Sequence, residues 1–385
     1  MLIQNKKIAI IGGGPGGLTL ARLLQHKGAE VKVYERDVNR DVRVQGATLD
    51  LHEESGLEAL RQAGLMDAFK ANYRPGADKI RITDQKAAIV YDQHEEESAQ
   101  DFGGEHFRPE IDRGPLRNIL LDSLKPDTVV WDSHISSLER IGDSWKLYFN
   151  NGSSAMADIV IGADGANSKI RPFVTPIKAF YSGITVVEGT VYDSEKNAPI
   201  IHELLKGGKI FAMGDEKTLI VSSKGDGSLA FYTGCKTDEF WVRESGIDFK
   251  DRSSVLAWFN REFSDWSNVW QELFENDQTY FIPRPQYCMP LDQTWEAQPN
   301  ITLLGDAAHL MPPYAGEGVN MAMLDALELS ECLTNDAFPD LKSAIGHYEA
   351  QMRKRASETA ETTLEQTESL HSTNAIQNLL ELFAQ

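Results

Sequence analysis

The chain has 385 residues, 41% of them hydrophobic, and a formal net charge of −20. That length exceeds one typical domain, and the apolar share is enough for a sizeable core. The acidic balance argues against nucleic acid and anionic membranes as partners, because both call for a basic face.

Residues 7–11 form a short apolar run, as a buried parallel strand should. The turn Gly12, Gly13, Gly14, Pro15, Gly16, Gly17 follows. Beyond it Leu18, Ala21, Leu24 and Gln25 recur at helical spacing, with Gly28 as the stop. Residues 31–35 alternate like a second strand, so a βαβ unit is expected at the start. Gly12, Gly14 and Gly17 have the spacing of a dinucleotide-binding turn, where backbone must approach a diphosphate with no Cβ in the way. A helix opening at Pro15 would aim free N–H groups at that diphosphate. Glu35, 18 residues after Gly17, could accept from both ribose hydroxyls of an adenosine.

Residues 36–110 read as helices and loops with polar insertions, among them the acidic run 94–97 as a solvated loop. A helix over 116–124 and strands over 129–131, 144–149 and 158–161 follow. From about 175 to 295 the pattern changes to strands at 184–188, 209–212, 219–222 and 229–232. Gly225, Asp226 and Gly227 supply a hairpin turn, and an antiparallel domain is expected. Trp258, Trp266 and Trp270 read as core of a helical stretch. Residues 301–304 return to the buried-strand pattern. Residues 319–334 and 341–385 read as helices, the last docking through Leu379, Leu380, Leu382 and Phe383. The expected division is 1–174 with 296–334 as one discontinuous domain, 175–295 as a second, and 335–385 as a helical region.

Cys235, Cys288 and Cys332 are odd in number and far apart, so no disulfide framework or metal site is expected. No apolar run approaches the roughly 18–20 residues of a membrane span. No basic-then-apolar leader stands before the first strand. A cytoplasmic monomer is expected.

Two later fragments decide which dinucleotide binds. Asp164 follows a buried strand, and Gly165 allows a tight turn toward a helix capped by Asn167 or Ser168. Asp306 also ends a buried strand, where a carboxylate can bind a ribityl hydroxyl. Gly316 and Gly318 admit a ring close to backbone, and a helix starting near Val319 would favour negative charge at the edge of a reduced flavin. Alone, each fragment could be an ordinary strand-to-helix turn. In this order with the first turn, they describe FAD held from several directions.

The chain resembles the single-component flavin monooxygenases of the para-hydroxybenzoate hydroxylase type, and within them most resembles the tetracycline-inactivating monooxygenases. Residues 33–37, 46–52, 110–113 and 305–313 carry the likeness. The resemblance implies an α/β fold: an FAD-binding Rossmann-like domain of the glutathione-reductase-2 type, an antiparallel-sheet substrate domain and a long C-terminal helix. It places Glu35 and Arg36 at the adenosine end of FAD and Arg43 near the reducing cofactor. Asp50 and Arg113 would contact FAD, and Asp306 its ribityl or diphosphate region. No second glycine-rich βαβ unit is present for a nicotinamide cofactor, so NADPH or NADH would bind transiently. The implied reaction is hydroxylation of an aromatic or polycyclic substrate by O2 through a flavin C4a-hydroperoxide, tetracycline being one candidate; the alternative is a flavoprotein of the same scaffold that binds or reduces a ligand without hydroxylating it. Substrate-facing positions would be Val186, Glu188, Lys209, Val221, Ala230 and Pro313. Val186, Glu188 and Ala230 stand where the tetracycline enzymes place Asn, Gln and His, so two polar side chains are lost and Glu188 would disfavour an anion. No side chain is expected to be catalytic, and His309 is expected to be structural.

Overall fold

The computed structural model describes residues 2–42, 46–95, 102, 104, 107–276 and 279–383. A five-stranded parallel sheet runs, in space, Ile301–Leu303, Ile159–Gly162, Ile8–Ile11, Val31–Tyr34 and Val129–Val130. Every residue of Ile8–Ile11 and Ile159–Gly162 is buried, because helices and loops cover both faces. Distant sequence thus completes this sheet, as the apolar run at 301–304 foretold.

A seven-stranded sheet runs Phe281–Cys288, Phe180–Val191, Leu229–Lys236, Lys217–Ser223, Lys209–Gly214, Ile80–Asp84 and Ile89–Asp92. It is antiparallel except where Lys209–Gly214 meets Ile80–Asp84. The last two strands correct the expectation of helices and loops over 36–110. Ile80–Asp84 is too short to show a clear period, and it buries Arg81 and Thr83 beside Ile82. Arg81 is held there by Asp92, at 2.8 Å across the hairpin.

Alternation gives this sheet two different faces. Val187, Ile210, Leu219, Val221 and Phe231 pack with Trp258, Trp266 and Trp270, which are core as expected. Val186, Lys209, Phe211, Thr218, Ile220, Ser222 and Tyr232 face the parallel-sheet half and line a cavity there. The C-terminal helix Leu341–Leu370 breaks before a second one, Ala375–Phe383. Leu379 is buried and Leu380 packs beside it, but Leu382 is exposed at the cavity rim, correcting its expected docking. The side chain of Phe383 lies outside the described residues.

Asp325, fully buried on the helix Gly318–Thr334, ties three elements together. It accepts from Gly305 N at 2.9 Å, His309 Nε2 at 2.6 Å and Arg355 Nη2 at 2.7 Å. Burial works to raise its pKa, but His309, Arg355 and the Gly305 amide outweigh that and lower it. His309 is thereby structural. Removing Asp325 leaves the buried His309 and the Gly305 amide without their acceptor, while Arg355 keeps Glu328. Asp325→Ala should therefore lose about 3–5 kcal/mol of stability. Urea unfolding checks this, and a loss below about 1 kcal/mol contradicts it.

Candidate cofactor and substrate site

The cavity between the two sheets has a volume of about 1620 Å³. The cofactor positions expected from sequence, Gly12 through Val319, all line it except Arg43, which lies outside the described residues. At one end the strand Ile8–Ile11 turns into the helix Pro15–His26. Its first turn has no side-chain cap, so its free amides remain available. Added Cβ atoms show what each glycine does. At Gly12 one would sit 2.2 Å from Ala163 O, and at Gly17 2.2 Å from Gly12 O. At Gly16 it would press on Ala322 O, 2.8 Å away. At Gly14 nothing lies within 4 Å, so this residue faces open cavity. The turn is thus closed tightly on itself with one bare surface for a ligand.

Glu35 is buried and accepts from Gly13 N at 2.5 Å and Asp37 N at 2.9 Å. Those bonds fix its carboxylate beside the turn. Asp164 accepts from Ser168 Oγ at 2.5 Å and Lys169 N at 2.6 Å, while Ser168 Oγ accepts from Arg171 N at 3.0 Å. Neither cap candidate holds the cap position, which falls to Ile170 without a side-chain bond; Ser168 Oγ instead braces the turn before it. Asp164 therefore shapes its own loop as well as lining the cavity.

At the other end the helix Gly318–Thr334 also begins without a side-chain cap. Its first amides and the bare Gly318 meet the cavity below Pro312 and Pro313. Beneath them lies a chain of charges. Asp50 Oδ2 is 3.1 Å from His52 Nε2, and His52 Nδ1 is 3.3 Å from Glu317 Oε1. Asn320 braces this chain through His52 N at 2.9 Å and Asp50 O at 3.0 Å. Burial lowers the His52 pKa, but Asp50 and Glu317 overcome it and raise it to about 9. Asp50 is correspondingly lowered against its own burial, by His52 and Lys209.

Lys209 reaches the same region from the large sheet and pairs with the buried Glu110. Burial raises the Glu110 pKa, with Asp50 adding to it and Lys209 opposing. Arg113 opens its helix on the cavity and donates from Nε to Ala47 O at 3.1 Å. Tyr232 accepts from Ala47 N at 2.8 Å, and burial pushes its hydroxyl up to about 12.

Of the expected substrate positions, Val186, Lys209 and Pro313 line the cavity. Val221 does not, because alternation turns it into the helical layer, while Ile220 and Ser222 take the cavity side. Ala230 is fully buried opposite Thr190 and Ser222, outside the lining. Glu188 is buried in an ion pair with Arg284 and also lies outside it. The sequence reading missed His52, Glu110, Glu317 and Tyr232. His52 and Glu110 sat within the quoted stretches 46–52 and 110–113, and the signal was an ionisable residue next to an expected FAD contact.

The groove fits FAD by this chemistry: two uncapped helix starts, bare glycines between them and carboxylates for hydroxyl groups. The sequence matches a family model described as an FAD binding domain over residues 5–113 and 293–363. Monooxygenase asqM of Emericella nidulans is 29% identical over 94% of this chain and 95% of its own length. A 3-amino-4-hydroxybenzoate 2-monooxygenase of Streptomyces cremeus is 28% identical, over 96% of this chain and 89% of its own. Among solved structures, the tetracycline destructase Tet(55) shares the fold with a TM-score of 0.74, at 20% identity over 97% of this chain and 91% of that one. These matches mark the chain as a flavin-dependent oxidoreductase whose relatives are monooxygenases.

Two outcomes follow from this geometry. Gly17→Val forces a side chain into the Gly12 carbonyl and should weaken FAD binding at least about tenfold, read as flavin per chain after equilibrium dialysis. Unchanged flavin content would show that the turn does not hold the cofactor. For His52 the folded pKa lies above the unfolded one. Its contribution is therefore whole below pH 6.5 and disappears as pH rises through about 9. The stability gap between wild type and His52→Gln should shrink across that window by no more than about 3 kcal/mol. A gap constant from pH 6 to about 10 would contradict the charged bridge.

Proposed function

We infer that this chain is an NAD(P)H-dependent monooxygenase that hydroxylates a ring of an aromatic or polycyclic substrate. The observation that carries the reading is the cavity itself, a glycine-rich cofactor cradle facing an apolar sheet wall. Bound FAD supplies the electron transfer and oxygen chemistry that no side-chain set here offers. The free amides that follow Pro15, at Gly16 and Gly17, and those that begin at Gly318 hold its anionic and electron-rich ends. Glu35 and Arg36 orient the adenosine, and Asp306 a polyol hydroxyl. Val186, Phe211, Ile220 and Tyr232 form an apolar roof that keeps water from the reacting face and sets the ring against it. NADPH or NADH enters transiently, since one dinucleotide cradle serves one resident cofactor.

Tetracycline is one substrate to test. With Val186 on the wall and Ala230 buried, a polar polyketide would have to be oriented by Lys209, Thr218, Ser222 and Tyr232. A site that has lost fixed polar partners discriminates strongly against the ligand they oriented. The direct experiment follows NADPH and NADH oxidation by FAD-loaded protein against a panel of phenols and polyketides, tetracycline included, with product masses recorded. The expected result is ligand-stimulated oxidation with one oxygen atom added to at least one ring compound. No stimulation across the panel would refute the reading.

A further inference from the structure

The large sheet puts one cation on the cavity wall, Lys209, and the fold gives that cation away. Lys209 starts the strand Lys209–Gly214, and its side chain is 18% exposed toward the cavity. Behind it stands Glu110, 1% exposed, whose Oε1 takes the ammonium. Glu110 is fixed by pairing across from Asp50, and its carbonyl also accepts from Arg74 N at 2.7 Å. Asp50 and Asp78 add negative charge, and together with Glu110 they raise the Lys209 pKa against its burial. The ammonium is therefore charged and already matched. Around it the wall is Val186, Phe211, Ile220 and Tyr232, with the hydroxyls of Ser222, its cross-strand neighbour, and Thr218. Glu188, expected from sequence to repel anions, is closed over by Arg284 and leaves that role vacant. Arg108 and Arg113 also line the cavity, both from exposed positions where water solvates their charge and weakens any pairing.

We propose that the ring bound here is uncharged, offering Lys209 a carbonyl or phenolic oxygen, and that Glu110 is the residue that excludes aromatic carboxylates. A neutral acceptor takes a remaining N–H of Lys209 and leaves the pair intact. A carboxylate must instead compete with Glu110 for one ammonium and bring a further like charge beside it and Asp50. Such buried like-charge contacts discriminate strongly, because neither carboxylate can recover its lost water. This rests on the ring-hydroxylase reading above. It also separates this chain from a relative named for an aminohydroxybenzoate, whose substrate carries a carboxylate.

The test is equilibrium calorimetry on FAD-loaded protein with naphthol and hydroxynaphthoate, two ligands that differ by one ortho carboxylate. Wild type should bind naphthol at least about tenfold more tightly. Glu110→Gln frees the ammonium and should tighten hydroxynaphthoate about tenfold, narrowing or reversing the preference. The double variant Glu110→Gln with Lys209→Met removes both charges and should restore the preference for naphthol. Equal or tighter wild-type binding of hydroxynaphthoate overturns the proposal without any variant having to fold. Failure of wild type to bind either ligand overturns it too, as does an unchanged ratio in a folded, flavin-containing Glu110→Gln. Because binding is read without turnover, a chain that binds naphthol selectively yet never consumes NADPH would sink the monooxygenase reading alone.

Discussion

The close crossing of two helices governs everything else in this molecule. Pro15–His26 and Gly318–Thr334 touch at Gly16 and Ala322, where a Cβ on Gly16 would meet Ala322 O at 2.8 Å. Because they meet there, two uncapped helix starts from opposite ends of the chain open into one groove. Each start presents unpaired amides and the positive end of a helix dipole. One suits a diphosphate, the other an electron-rich ring edge. Asp325 then locks the second helix to the Gly305–His309 segment and to Arg355, so the distance between the two starts is set by buried charge as well as by packing.

The second sheet adds what the first cannot, an apolar wall facing the cofactor cradle. Its strands alternate cleanly, one set of side chains joining the tryptophan-rich core and the other roofing the cavity. The largest polar groups on that roof are engaged. Tyr232 is bound to the Ala47 amide and Lys209 to Glu110. A site of this kind selects by shape and by the charge it refuses, more than by a dense set of hydrogen bonds.

Much of this was readable in the sequence because it depends on local rules. Gly12, Gly14, Gly17 and Glu35 sit at offsets that a strand–turn–helix must keep, and Asp306, Gly316 and Gly318 do the same late in the chain. Parallel strands read as unbroken apolar runs, which located residues 301–304 in the first sheet. The failures come from long-range pairing. Ile80–Asp84 joins a strand from beyond residue 200, and nothing in five residues announces that partner. Val221 was assigned to the wrong face because a strand's facing shifts with every residue, and an alignment fixes it only when the register is known. Glu188 read as a free carboxylate because Arg284, which neutralises it, lies 96 positions away. The same distance hid the match between Lys209 and Glu110, 99 positions apart.

The account stands on FAD lying between the two helix starts, and a crystal structure of the FAD complex tests that most directly. The adenosine should lie against Glu35 and the diphosphate against the amides following Gly14. The flavin edge should meet the amides that begin at Gly318, with the ring plane turned toward Val186 and Lys209. Flavin density outside this groove, or with the ring at the Glu35 end, would contradict the account.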